Sequence, residues 1–374
     1  MAKKILPLIL TSLIFSVFAQ EKCGTEAITK YRMDKYPDYR YSRENVNFET
    51  DKWIEENPNY TQKSIITIPV VVHVVWRTNA QNISDSQIQS QIDVLNKDYR
   101  RLNIDVINTP SVWQSVAADC EIEFCLAGVD PNGQPTNGIN RVETTHGKFG
   151  MDNDIHTSSL GGADDWPNDD YLNIWVCDIS DGLLGYASKP SNWIGDGDGL
   201  VIGYRYFGTN GTVQSPYNKG RTATHEIGHW LNLEHLWGGS WGSCGNDQVS
   251  DTPKQESSNY SCPGFPENPN SCSTNNPNGD MFMNYMDYTN DACMNLFTQG
   301  QKTRMIAAIN QYRPNMLSHN LCNVTTSVIE TKNVKKELIR IVDVLGRKIN
   351  IQTKNTALFY IYSDGSVKKK IILK

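Results

Sequence analysis

Three of the chain's seven histidines fall within eleven residues, inside the run RTATHEIGHWLNLEHLW at 221–237. His225 and His229 are four apart, so a helix projects both imidazoles from one face, one turn apart, where they can share an ion. Glu226 flanks that face, within reach of a water on the ion without being a ligand. Ala223, Ile227, Trp230 and Leu231 are placed to anchor the helix in a core. His235 lies six residues beyond His229, and a continuing helix would point it away from the pair. The chain must therefore reverse between them, which calls for a left-handed residue. Asn232 sits there, and Asn is among the few non-glycine residues that tolerate that conformation. The expected helix covers 221–232, ends at Asn232 and returns His235 as third ligand. Three histidines leave the fourth zinc position for water, the arrangement of a catalytic site. The bland alternative is a helix of solvated or core histidines. A lone H-E-x-x-H arises by chance in roughly one chain in a hundred of this length and histidine content, and a third histidine makes it far rarer.

The rest of the chain frames this site. Lys3 and Lys4 precede the apolar run 5–18, which is too short for an ordinary membrane span. Residues 1–19 therefore read as a signal peptide cleaved after Ala19, with a membrane anchor as the rival, and no stable membrane insertion is expected of the mature protein. Export permits disulfides. The cysteines number nine, so at least one must be free, metal-bound or intermolecular. Residues 20–64 are polar with little periodicity and suit a pro-segment or extended arm. The β-branched run 65–76 (IITIPVVVHVVW) reads as a buried strand. Ser84 and Gln87 form a capping box for a helix with Ile88, Ile92, Leu95, Tyr99 and Leu102 on one face. Strands are expected at 121–129, 171–177 and 199–206, with a turn at 130–133, and helical pattern returns at 297–317. Residues 238–280 form a Gly/Ser/Asn/Pro-rich loop too long to be left untied, and four cysteines in and just beyond it favour stapling. These elements indicate an α/β or α+β catalytic domain over 65–322, then a linker at 323–336 and a module at 337–374. Residues 331–374 hold 11 Lys/Arg against 3 Asp/Glu. That basic tail alternates apolar and polar residues, so it reads as a small β module and not as a nucleic-acid-binding segment.

HEIGHWLNLEH resembles the extended zinc signature of the metzincin metallopeptidases, with Asn232 where that family usually has Gly. Asn284-Tyr285-Met286-Asp287-Tyr288 resembles its Met-turn. The stretches IPVVVHVVW, HEIGHWLNLEHLWG, DQVSDTP, FMNYMDYTNDACMNLFT and QKTRM are most similar to the pappalysin-like branch (cytophagalysin/ulilysin-type), over roughly 65–319. The resemblance implies an α+β fold: a twisted mixed sheet plus helices above a cleft, and a loop-rich, disulfide-stapled subdomain below it. It implies a zinc endopeptidase acting on a protein or peptide substrate, with Glu226 as general base. Met286 becomes an apolar floor under the metal, and Tyr288 a group near it that helps stabilise the transition state. Two disulfides are implied, Cys244–Cys272 and Cys262–Cys293, together with structural calcium for which Asp247, Asp251 and Thr252 supply hard oxygens. Some relatives prefer a basic residue after the scissile bond through an acidic pocket residue. The matching position here is Met294, so that preference is not carried over.

Two appendages add expectations. Cys23, in Lys22-Cys23-Gly24-Thr25, is placed to act as a cysteine switch, its thiolate filling the open zinc position. The motivation is that removing Cys23 leaves an even eight; a chance free thiol or a disulfide to the catalytic domain is the rival. The tail resembles the C-terminal sorting module of the type IX secretion machinery of Bacteroidetes, through Asp343-Val344-Leu345-Gly346-Arg347, the strand 358–362, Asp364-Gly365 and Lys368 to Lys370. That implies release to the exterior or cell surface through the periplasm. His73 reads as a packed strand histidine, and His146, His156 and His319 as structural or exposed. The pairing of Cys120, Cys125, Cys177 and Cys322 stays open. The competing classes are a non-catalytic secreted binder with a relic zinc site, and a two-His-plus-Glu zinc peptidase. Intact Glu226 opposes the first and His235 the second.

Overall fold

The computed structural model describes residues 23–322 except 63, 194, 196, 240, 241, 243, 274, 275, 319 and 320, and then 338–349, 357–363 and 367–371. The signal-peptide reading, the linker and His319 lie outside the described residues. The chain divides after Asn323 into two units.

The N-terminal segment is not an extended arm. It forms helices α1 (Thr25–Lys35) and α2 (Pro37–Glu56), with Pro37 at the first turn of the second, where its missing N–H costs nothing. The buried positions of α2 are Tyr39, Arg43, Val46 and Thr50, a helical spacing. Arg and Thr occupy two of them, which hides the period from a hydrophobicity reading.

The core is a six-stranded sheet. β1 (Ile66–Trp76) is central; β2 (Ile122–Leu126) and β3 (Ile139–Glu143) pair with successive halves of one edge, and β4 (Leu172–Cys177) pairs with the middle of the other. All three pairings are parallel. β5 (Gly185–Ala187) runs antiparallel to β6 (Gly199–Gly203), which is itself parallel to β4, so the sheet is mixed in the order β2-β1-β4-β6-β5. β3 and β5 are too short and too polar or glycine-rich to carry a sequence signal. β1 is buried along almost its whole length because both faces are covered. One face takes α3 (Asp85–Tyr99), whose Ile88, Ile92, Leu95 and Tyr99 join the main core. Ser84 accepts from Gln87 N–H at 3.2 Å, while the Gln87 side chain turns to Tyr204 and Phe207 carbonyls, so the capping box is only half made. Leu102, expected on that face, is 69% exposed: the helix stops at Tyr99 and Arg101 takes a left-handed φ of 50°. A short α4 (Ser111–Gln114) precedes β2.

The same core face takes α5 (Arg221–Trp230) and α6 (Gln299–Tyr312). Between them the loop-rich region is stapled by Cys244–Cys272 and Cys262–Cys293, the pairs the resemblance implies, and Cys125–Cys322 ties β2 to the end of this unit. The fold is α+β, as expected. No helix of the described residues is long and apolar enough to cross a membrane. The second unit is an antiparallel sheet of β7 (Leu338–Val342), β8 (Ala357–Tyr362) and β9 (Val367–Ile371).

Candidate metal centre

Every residue of α5 is buried, so its polar groups must be satisfied inside the protein. At its start Arg221 pairs with Asp105 at 2.6 Å and Asp98 at 3.4 Å. One turn on, the Thr224 hydroxyl donates to Asp98 at 2.9 Å and its carbonyl accepts from Tyr99 at 3.0 Å. Halfway along, Gly228 faces the Met-turn. A Cβ there would stand 2.4 Å from Met286 Sδ, so only glycine lets the fully buried Met286 seat against the helix.

The helix ends at Trp230, earlier than expected, because Leu231 already leaves helical geometry. Asn232 then adopts φ 69°, the left-handed turn its sequence position calls for. Asn232 N–H donates to the His229 carbonyl and Leu233 N–H to the Gly228 carbonyl, both at 2.9 Å. That pair of bonds is a Schellman motif, and it carries His235 back beside the other two histidines.

The three Nε2 atoms lie 3.0–3.2 Å from one another. Each Nδ1 faces an acceptor: the Tyr285 carbonyl at 2.7 Å from His225, the Leu233 carbonyl at 2.8 Å from His229, and Glu26 Oε1 at 2.8 Å from His235. A carbonyl accepts only from a protonated nitrogen, so the protons sit on Nδ1 and the Nε2 lone pairs converge. Burial, then the neighbouring imidazoles, hold His229 neutral with a pKa well below its usual value. Three lone pairs aimed at one point repel unless a cation lies between them. This donor set fits zinc.

Cys23 Sγ joins the cluster, its ligand atom and the histidine nitrogens all within 4.8 Å of one another. Its backbone pairs with the edge strand β5, where Gly24 N–H donates to the Gly185 carbonyl at 2.9 Å. Glu226 Oε2 accepts from the Cys23 thiol at 3.3 Å and the Thr25 hydroxyl at 2.8 Å. Burial pushes the Glu226 carboxyl up to about 8 against those two bonds. Tyr288 stands over the cluster, its ring centroid 5.0 Å from that of His235 and 5.8 Å from that of His225. A pocket beside Glu226 is lined by Leu184, Tyr217, Arg221, Met294 and two further acids, Asp287 and Asp291.

The other named residues separate. Asp247 accepts from the Thr252 hydroxyl at 2.6 Å, and burial pushes its carboxyl up to about 6. Asp251 instead caps α6, accepting from Thr298 at 2.6 Å and Gly300 N–H at 2.9 Å. His73 is a packed strand histidine, bonded to Asn173 at 3.0 Å and stacked on Trp175. His156 is buried and His146 stacks on Phe149. Cys120 and Cys177 are unpaired and buried, so the odd count alone did not single out Cys23; its place in the cluster does. Thr25, Glu26, Asp98 and Asp291 were missed. Their roles depend on partners 70 or more residues away, and no local pattern marks them.

Residues 156–310 match the family model described as Peptidase_M43, pregnancy-associated plasma protein-A. An extracellular metalloprotease of Arthroderma otae is 33% identical over 256 residues, spanning 66% of this chain and 79% of that one. One of Neurospora crassa is 32% identical over 266 residues, 68% of this chain and 79% of that one. Mature mirolysin of Tannerella forsythia in complex with a cleaved peptide superposes with TM-score 0.68 at 52% identity, covering 70% of this chain and 100% of that one. A promirolysin mutant from the same organism gives TM-score 0.72 at 47% identity, covering 79% and 97%. The precursor form thus matches more of this chain than the mature form does.

Proposed function

We infer that this chain, which belongs to the Peptidase_M43 (pregnancy-associated plasma protein-A) family and is a zinc-dependent endopeptidase, cuts its substrate where α5 meets the edge strand β5. The observation that carries this reading is the convergence of three unprotonated Nε2 atoms beside a buried glutamate. His225, His229 and His235 hold the metal. Bound zinc supplies Lewis acidity, acidifying a water and polarising the scissile carbonyl. Glu226 takes the proton of the attacking water and hands it to the leaving amine. Tyr288 donates toward the developing oxyanion. Met286 shapes the floor, and β5 offers an extended peptide the edge on which Cys23 and Gly24 lie in this structure. The experiment that tests the whole reading is substitution of Glu226 with zinc content measured alongside.

The protein is secreted, and residues 20–64 act as its pro-segment. Cys23 and Thr25 occupy the groups the reaction needs, which supports a cysteine switch. Cys23→Ala precursor should process itself or hydrolyse a peptide at least about tenfold faster than the unaltered precursor, equivalent to about 1.4 kcal/mol of latency. Equal rates would end the switch.

The pocket beside Glu226 supports a preference for Lys or Arg after the scissile bond, through Asp291 and not through the Met294 position. Profiling with a peptide library should show that preference, and Asp291→Asn should weaken it by about 10- to 100-fold, the worth of a charged hydrogen bond. An unchanged profile removes Asp291 from specificity. The buried Asp247 carboxylate with Thr252 supports a structural calcium; Asp251, engaged at α6, contributes less directly. The small β unit supports a type IX sorting role in a bacterium of the Bacteroidetes. Removing residues 331–374 should then leave the protein in the periplasm, and normal export of the truncated chain would dismiss that role.

A further inference from the structure

Asn232 presents a physical problem that its Schellman bonds only partly answer. A left-handed asparagine is less favourable than glycine, and this one is fully buried, its side-chain nitrogen donating to Thr50 at 3.0 Å. Its backbone carbonyl accepts from Arg304 Nε at 2.9 Å. The carbonyl of the next residue, Leu233, accepts from His229 Nδ1, and His235 follows two residues later. One guanidinium therefore holds the peptide unit directly before the carbonyl that orients His229, three residues ahead of His235.

Arg304 is built for this. It lies on α6 with a side chain only 1% exposed, and burying a cation so deeply is costly unless each face of it is partnered. Asp51 accepts from it at 3.0 Å and Asn47 from its remaining nitrogen. Both belong to α2 of the pro-segment. Glu234, the residue before His235, is held between Lys189 and Arg43 and adds its charge beside the guanidinium. When the pro-segment leaves, Arg304 loses Asp51 and Glu234 loses Arg43. Glu234, on the same turn, then remains beside Arg304, with Asp247 also within reach of the charge of the guanidinium.

We propose that Arg304 is the positioning residue of the third zinc ligand: by holding the Asn232 carbonyl it lets asparagine do what glycine does in the family signature. The proposal rests on the three-histidine reading of the site. It is tested on the full-length precursor, dialysed against zinc buffered by a competing chelator, with bound zinc read by elemental analysis. Arg304→Met should lower zinc affinity by about 10- to 100-fold, the usual cost of removing a group that orients a ligand. Asn232→Gly alone should stay within about twofold of the unaltered chain, because glycine takes a left-handed φ without steric cost. Combining the two should restore most of the lost affinity. Arg304→Lys keeps the charge but not the planar fork, should resemble the Met variant, and carries the same comparison with Asn232→Gly where the Met variant does not fold. Unchanged zinc affinity in Arg304→Lys or Arg304→Met overturns the role. So does a double variant as weak as the single, which would make Arg304 a packing residue. Absence of zinc from the unaltered chain overturns the histidine site, and this role with it.

Discussion

Glu226→Gln is expected to retain zinc and to lose peptide hydrolysis by about 10²- to 10⁴-fold, the range supplied by a positioned general base. The glutamate is 1% exposed and stands outside the group of potential ligand atoms formed by Cys23 and the three histidines. Glutamine keeps its volume and can still accept the Thr25 hydroxyl, so the helix and the histidines should be undisturbed; what disappears is basicity. Elemental analysis of the same sample separates the readings. Zinc kept and hydrolysis lost supports the base. Hydrolysis kept removes Glu226 from the chemistry, and zinc lost along with hydrolysis makes it a ligand. An unaltered mature enzyme that holds zinc but cuts no peptide would favour the rival class, a secreted binder. The calcium content of that analysis tests Asp247 as well: calcium that persists in Asp247→Asn places the ion elsewhere.

The features legible in the sequence are those whose cause is local. The β-branched run of β1, the i, i+4 faces of α3 and α5, and the left-handed demand at Asn232 all follow from the spacing of neighbouring residues, and the structure realises each. The disulfides of the long loop and the Met-turn came from resemblance, since nothing in their spacing selects one pairing. What escaped is stabilised from afar. α2 buries Arg43 and Thr50, residues that normally mark a solvated face, because Glu234 and Asn232 lie across from them. Cys125 finds Cys322 at a sequence separation of 197. Short β5 gives no alternation to read, yet it forms the rim on which Cys23 lies. Leu102 fails for the opposite reason: the helical period continues through it, but the backbone does not.

The same long-range dependence makes Arg221 the most sensitive point in the seat of α5. Its side chain is 6% exposed and faces Asp98, 1% exposed, and Asp105, 12% exposed, besides donating to the Asp291 carbonyl. Arg221→Met removes the one cation between two carboxylates, and breaking a buried pair from one side costs about 3–5 kcal/mol. Burial already raises the Asp98 carboxyl above its usual value, with Arg221 and Thr224 opposing that rise. Without Arg221 the rise is larger. An acid whose folded pKa lies above its unfolded value of about 3.9 destabilises the fold at neutral pH, and the penalty fades as acid protonates it. Urea unfolding of the metal-free precursor, disulfides intact, should therefore show a deficit that is largest at pH 7 and shrinks toward pH 5. Adding Asp98→Asn to Arg221→Met should recover part of the loss at neutral pH, since an amide needs no counter-charge. A loss below about 1 kcal/mol, the scale of an exposed pair, or one that does not change with pH, would mean that α5 is seated by its apolar face alone.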